Sequence, residues 1–148
     1  MGALVPVKCV LIVDDDPEVR GALRELLESW NLAALDLGDG RAALDWLVGE
    51  QGRAPGLIIL DMEMPELPGW EFLKIIRCYH RLASIPVIVL SARDHSQTIR
   101  EHSIAGYLLK PHDPDTLLRT VTSVLAQSAP RNGPTMSSLG SAVRSGEP

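Results

Sequence analysis

Four short aliphatic runs, spread along a chain of 148 residues, constrain what it can fold into. They are CVLIV (Cys9–Val13), GLIIL (Gly56–Leu60), PVIVL (Pro86–Leu90) and GYLL (Gly106–Leu109). Side chains alternate across a strand, so a sheet covered on one face leaves an apolar-polar alternation. A nearly unbroken apolar run means that both faces are covered, as in parallel sheets packed between helices. A weaker strand is expected around Ala33–Leu37.

The segments between these runs carry helical periodicity. Val19, Ala22, Leu23, Leu26, Leu27 and Trp30 share one helix face. Ala43, Leu44, Leu47 and Val48 suggest a second helix, and Phe72, Leu73 and Ile76 a third after the turn Pro65–Gly69. Leu117, Val121, Val124 and Leu125 mark the last. The stretch Asp94–Ser103 is short and mostly polar, the poorest helix of the set. Strands alternating with helices predict βαβ units with right-handed crossovers, hence a doubly wound α/β sandwich. Residues 8–127 form this domain after a lead-in over 1–7. Residues 128–148, rich in Ser, Gly and Pro, read as a flexible tail or the stub of a linker.

Composition narrows the function. A net charge of −5 with no Lys/Arg run argues against direct nucleic-acid binding and against an anionic membrane surface. No apolar run is long enough to span a bilayer, and the first residues lack a secretory signal pattern. Cys9 and Cys78 form no CxxC pair and have no His at ligand spacing, so they read as buried free thiols in a reducing cytoplasm.

In open parallel sheets, sites gather beyond the carboxyl ends of the strands. Asp14, Asp15 and Asp16 follow the first run, Asp61 the third strand, Ser91 the fourth and Lys110 the fifth. Asp16 ahead of Pro17 reads as a helix cap, a device repeated at Asp113-Pro114. Asp14 and Asp15 have no such explanation, and Asp61 follows an apolar strand where an uncompensated charge is costly. Carboxylates suit Mg²⁺, and a lysine with a hydroxyl can stabilise phosphoryl oxygens.

LIVDDDP, LIILDMEMPELPG, VIVLSA and GYLLKP, in this order, resemble the receiver domain of two-component response regulators, from about Lys8 to Gln127. The spacing agrees, with 46 positions from Asp15 to Asp61 and 30 from Asp61 to Ser91. The resemblance implies a flavodoxin-like (βα)5 fold with a parallel five-stranded sheet in 2-1-3-4-5 order. It implies Asp61 as phosphoacceptor, receiving its phosphoryl group from a histidine kinase or histidine phosphotransfer protein. Asp14, Asp15, Asp61 and the backbone carbonyl of Glu63 would hold Mg²⁺, Asp14 largely through water. Lys110 would pair with Asp61 and then with the phosphoryl group, Ser91 would bond a phosphoryl oxygen, and Tyr107 would be an aromatic switch. A stand-alone cytoplasmic switch acting on a downstream protein follows, with room for a homodimer on phosphorylation.

Several positions depart from the family pattern. Pro68 stands where Asp is usual, the fourth helix is shortened, and His112 replaces an aromatic residue. Glu63 places an acid where its side chain could face the phosphorylation site. Lys110-Pro111 matches a pair often cis in the family, against the general trans preference. The alternatives are a receiver-like binding module that works without phosphorylation and a haloacid-dehalogenase-type phosphatase. A flavodoxin-like mononucleotide binder is disfavoured because the three Asp repel phosphate.

Overall fold

A computed structural model describes residues 9–49, 54–94, 97 and 103–128. Along the chain these form β1 (Val10–Val13), α1 (Pro17–Ser29), β2 (Ala34–Leu37), α2 (Gly40–Gly49) and β3 (Leu57–Asp61). There follow α3 (Gly69–Arg77), β4 (Val87–Ser91), β5 (Gly106–Leu109) and α4 (Pro114–Ser128). The five strands are all parallel, in the order β2-β1-β3-β4-β5. The lead-in 1–7, most of the expected short helix over 94–103, and the tail beyond Ser128 lie outside the described residues.

The unbroken apolar runs divide between two cores. Leu11, Val13, Ile58, Leu60, Val87 and Val89 face α2 and α3, packing with Ala43, Leu47, Phe72, Leu73 and Ile76. Their neighbours Val10, Ile12, Leu57, Ile59, Ile88 and Leu90 pack with Leu23 and Leu27 of α1 and with Leu117, Val121 and Val124 of α4. Strands β1, β3 and β4 therefore bury consecutive residues into opposite layers, which removes any polar alternation.

Three expectations need correction. GYLL is not buried on both faces: β5 is an edge strand, its first three residues half-buried and Leu109 exposed. Val48 does not face the core with Ala43 and Leu47 but is exposed at the end of α2. Cys78 is exposed at the end of α3 and Cys9 only half-buried, although neither is in a disulfide. Edge position sets the exposure of β5, and helix termination those of Val48 and Cys78, and neither is written in local apolar periodicity.

Local signals explain the element ends. Asp16 is extended and its side chain accepts from Glu18 N–H, with Pro17 opening α1. Asp113 does the same for α4, accepting from Thr116 N–H at 2.7 Å. After α1, Asn31 adopts a φ of 64° and donates to Glu28 O, turning the chain toward β2. Gly69 answers a closer constraint, because a Cβ there would lie 2.4 Å from the carbonyl oxygen of Asp61. The Lys110-Pro111 bond is cis.

Candidate phosphoryl-transfer site

The carboxyl ends of β1, β3, β4 and β5 bring the predicted residues to one edge. Asp14 directly follows β1 and is 2% exposed, whereas Asp15 is exposed. Asp61 ends β3 at 4% exposure and Ser91 ends β4 fully buried. Lys110 follows β5, and Tyr107 lies within it. One carboxylate oxygen from each of Asp14, Asp15 and Asp61 falls within 4.8 Å of the others. Three hard oxygens so close, two of them on buried side chains, fit a small divalent cation.

Hydrogen bonds fix the acids before any cation is considered. Asp14 Oδ1 accepts from Asp16 N–H at 2.9 Å, and Asp61 Oδ1 accepts from Glu63 N–H at 3.1 Å. Lys110 Nζ stands 3.4 Å from Asp14 Oδ2 and 3.5 Å from Asp61 Oδ1, so one ammonium serves both carboxylates. Burial first, then the Asp14 charge, pushes the Asp61 carboxyl up from 3.8 to about 6, while Glu63 N–H and Lys110 oppose the rise. Burial acts to lower the Lys110 ammonium, but Asp14 and Asp61 together outweigh it and leave it raised. Both shifts express an edge with one more buried negative charge than its lysine can balance.

On the β4 side, Ser91 is held by three contacts. Its hydroxyl lies 2.6 Å from Glu63 Oε2 and 2.9 Å from Arg93 O, and its Oγ accepts from Arg93 N–H at 3.1 Å. Glu63 Oε1 accepts from Ala92 N–H at 3.1 Å. The Glu63 side chain thus does face the site, directed at Ser91 and Ala92. Tyr107 donates its hydroxyl to Arg93 O at 2.6 Å.

The sequence reading missed a supporting cluster. Arg20 on α1 donates from Nη1 to the Asp14 carbonyl at 2.9 Å and from Nε to Asp36 Oδ2 at 2.9 Å. Arg24 adds a 2.8 Å bond to Asp36 Oδ1. The available signal was Asp36 itself, a charge inside the aliphatic strand ALDL that requires a partner.

Comparison with known proteins follows from this geometry. Residues 10–122 match the profile of the response regulator receiver domain, and the chain belongs to that family. It is 37% identical over 123 residues to response regulator Rre1 of Synechocystis sp., covering 80% of this chain and 52% of that protein. It is 35% identical to response regulator MprA of Mycolicibacterium vanbaalenii, covering 87% and 54% of the two. The chain thus spans about half the length of these two relatives. Among solved structures, chemotaxis protein CheY4 of Vibrio cholerae superposes with a TM-score of 0.73 at 29% identity, covering 80% of this chain and 99% of CheY4. A response regulator receiver protein from Pseudomonas putida gives 0.74 at 29% identity, covering 81% and 99%. Receiver domains are signalling switches that interact with histidine kinases and downstream effectors, and they generally bind Mg²⁺ in an acidic pocket. Among the described residues, no helix is long and apolar enough to cross a membrane.

Proposed function

We propose that this receiver accepts a phosphoryl group on Asp61 from a phosphohistidine donor, a histidine kinase or histidine phosphotransfer protein, and thereby alters a protein-binding surface. The observation that carries this reading is Lys110 Nζ placed between the carboxylates of Asp14 and Asp61, with Asp15 completing a three-acid cluster. Asp14, Asp15 and Asp61 would hold Mg²⁺, joined by the Glu63 backbone carbonyl. Bound there, the ion would neutralise carboxylate and phosphoryl charge.

The chain's own residues account for the rest. Asp61, with a carboxyl at about 6, is anionic at neutral pH and can attack phosphorus. The O–P bond forms as the P–N bond to the donor imidazole breaks, and the imidazole takes up a proton from water. Glu63 N–H and Lys110 both engage Oδ1, which limits rotation of the carboxylate and favours a fixed line of attack. Lys110 then exchanges part of its contact with Asp61 for the new phosphoryl oxygens. The Ser91 hydroxyl turns toward the same group, and Tyr107, bonded to the carbonyl that Ser91 also contacts, responds to its departure.

Incubation with acetyl phosphate and Mg²⁺, followed by intact-mass analysis, tests this. A single phosphoryl adduct is expected on the wild type and none on Asp61→Asn. No adduct on the wild type, or an undiminished one on the variant, overturns the assignment. An unmodified wild type would favour a module that binds its partner without phosphorylation.

A further inference from the structure

The side chain of Glu63 has no part in the scheme above, yet it occupies a central place. It leaves the chain two residues beyond the end of β3, and β3 pairs with β4 so that Asp61 lies opposite Leu90. That register puts residue 63 within reach of the residues that close β4. Both Glu63 carboxylate oxygens accept from the end of β4: Oε2 takes the Ser91 hydroxyl at 2.6 Å and Oε1 takes Ala92 N–H at 3.1 Å. A hydroxyl and an amide converging on two oxygens of one anion form a two-point oxyanion receptor.

We propose that the Glu63 carboxylate is a tethered anion that fills this receptor in the unphosphorylated chain, and that a phosphoryl group on Asp61 must displace it. This rests on the reading of Asp61 as phosphoacceptor and names how that site is restrained. The Ser91 hydroxyl has one proton and two acceptors, Glu63 Oε2 and Arg93 O. The shorter contact is to the charged acceptor, so the resting proton is committed to Glu63. A phosphoryl oxygen that engages the end of β4 competes with Glu63 for that proton and for the neighbouring Ala92 N–H. A dianion and a carboxylate cannot share two donors without close repulsion, so Glu63 has to swing out as the phosphoryl group engages. Glu63 thereby sets a threshold: the bond between the phosphoryl group and the end of β4 forms only after an internal competitor leaves. The same exchange frees a charged side chain at the mouth of the site, adding to the change in surface charge on activation.

The test uses beryllofluoride with Mg²⁺ as a tetrahedral phosphoryl probe, titrated into the full chain and followed by tryptophan fluorescence or amide NMR. Displacing a charge-assisted pair of hydrogen bonds makes the probe bind about tenfold more tightly to Glu63→Ala than to wild type. In a Ser91→Ala background the gain from Glu63→Ala falls to about threefold or less, because half the receptor is gone. Equal affinity for wild type and Glu63→Ala overturns competition. So does a full gain that persists with Ser91→Ala, since that is general charge repulsion. A ligand-free check uses the isosteric Glu63→Gln: the Ala92 amide resonance moves upfield as its carboxylate acceptor is lost, and an unmoved resonance refutes the contact. Failure of the underlying reading has a different signature. In that case neither wild type nor Glu63→Ala binds the probe, or Asp61→Asn binds it as well as both.

Discussion

The charge imbalance at the sheet edge predicts that removing the Asp61 carboxylate makes the cation-free protein more stable. The perturbation is Asp61→Asn, which keeps an oxygen able to accept from Glu63 N–H and replaces the charged second oxygen by a neutral NH2. The Asp61 carboxyl lies at about 6 in the folded protein against an ordinary 3.8. A displacement of about two pH units, at about 1.4 kcal/mol each, burdens the folded state by no more than about 3 kcal/mol at neutral pH. The sign follows from proton counts. Between 3.8 and about 6 the folded chain holds more protons on Asp61 than the unfolded chain does. Stability from this group is therefore complete below the lower value and lost as pH rises through the upper one. In EDTA at pH 7.5, Asp61→Asn should exceed the wild type by about 1–3 kcal/mol, and the advantage should vanish near pH 4. Urea unfolding of both proteins across that range, with unchanged m-values, measures it. Saturating Mg²⁺ should then narrow the gap, adding about 2.7 kcal/mol to the wild type at one hundred times its Kd and less to the variant. An Asp61→Asn protein no more stable than wild type at pH 7.5, or an advantage independent of pH, refutes the reasoning.

Two further perturbations probe the scaffold behind the site. Gly69→Ala would force a Cβ to within 2.4 Å of Asp61 O and 2.7 Å of Met62 Cα, both backbone atoms, so urea unfolding should show a loss above about 2 kcal/mol. Phosphorylation of that variant should also slow, because the strand end carrying Asp61 must shift. Arg20→Ala removes the 2.9 Å bonds to Asp36 and to the Asp14 carbonyl and should cost about 1–3 kcal/mol, with weaker Mg²⁺ binding by titration and no rescue by Arg20→Lys. Burial pushes the Asp36 carboxyl up, but bonds from Arg20 and Arg24 outweigh it and leave it below 3.8. That share of stability is present above the ordinary value and lost as pH falls further. An Arg20→Ala protein with wild-type stability and Mg²⁺ affinity would refute the pinning role.

Much of this arrangement was legible because its causes are local or strongly patterned. Double-sided burial writes itself as unbroken runs such as LIIL and VIVL, and the Asp16-Pro17 and Asp113-Pro114 pairs announce their helices. The order of charged residues after successive strands located the site edge. What escaped depends on neighbours distant in sequence. Arg20 reaches Asp36 across 16 positions, and Ser91 reaches Glu63 across 28. No period or cap signals such a pairing until the strand order is known. The exposure of Leu109 escaped for the same reason, since GYLL reads like a central strand and only its place beside β4 alone makes it an edge. Whether Glu63 faced the site was open from sequence because its carboxylate is positioned by the β3–β4 register.

The contacts at this edge also bear on how one new charge could be felt beyond the site. Arg20 holds the Asp14 carbonyl, and Asp14 shares Lys110 with Asp61, so the ends of β1, β3 and β5 are tied through charge. The end of β4 is tied in separately, through Glu63 to Ser91 and Ala92. Lys110 N–H also donates to Ser91 O at 2.7 Å, which joins the last two strand ends by backbone. A phosphoryl group on Asp61 would compete for Lys110 and for Ser91 together, the two side chains that backbone bond connects. Tyr107, on the same short edge strand and bonded to the Arg93 carbonyl that Ser91 also contacts, stands where both adjustments meet. An edge strand half-open to solvent can shift at less cost than β1, β3 or β4, whose residues are fixed in both cores. The β4–β5 edge is therefore where a charge gained at Asp61 can become a change of surface, and Glu63 stands in the path between them.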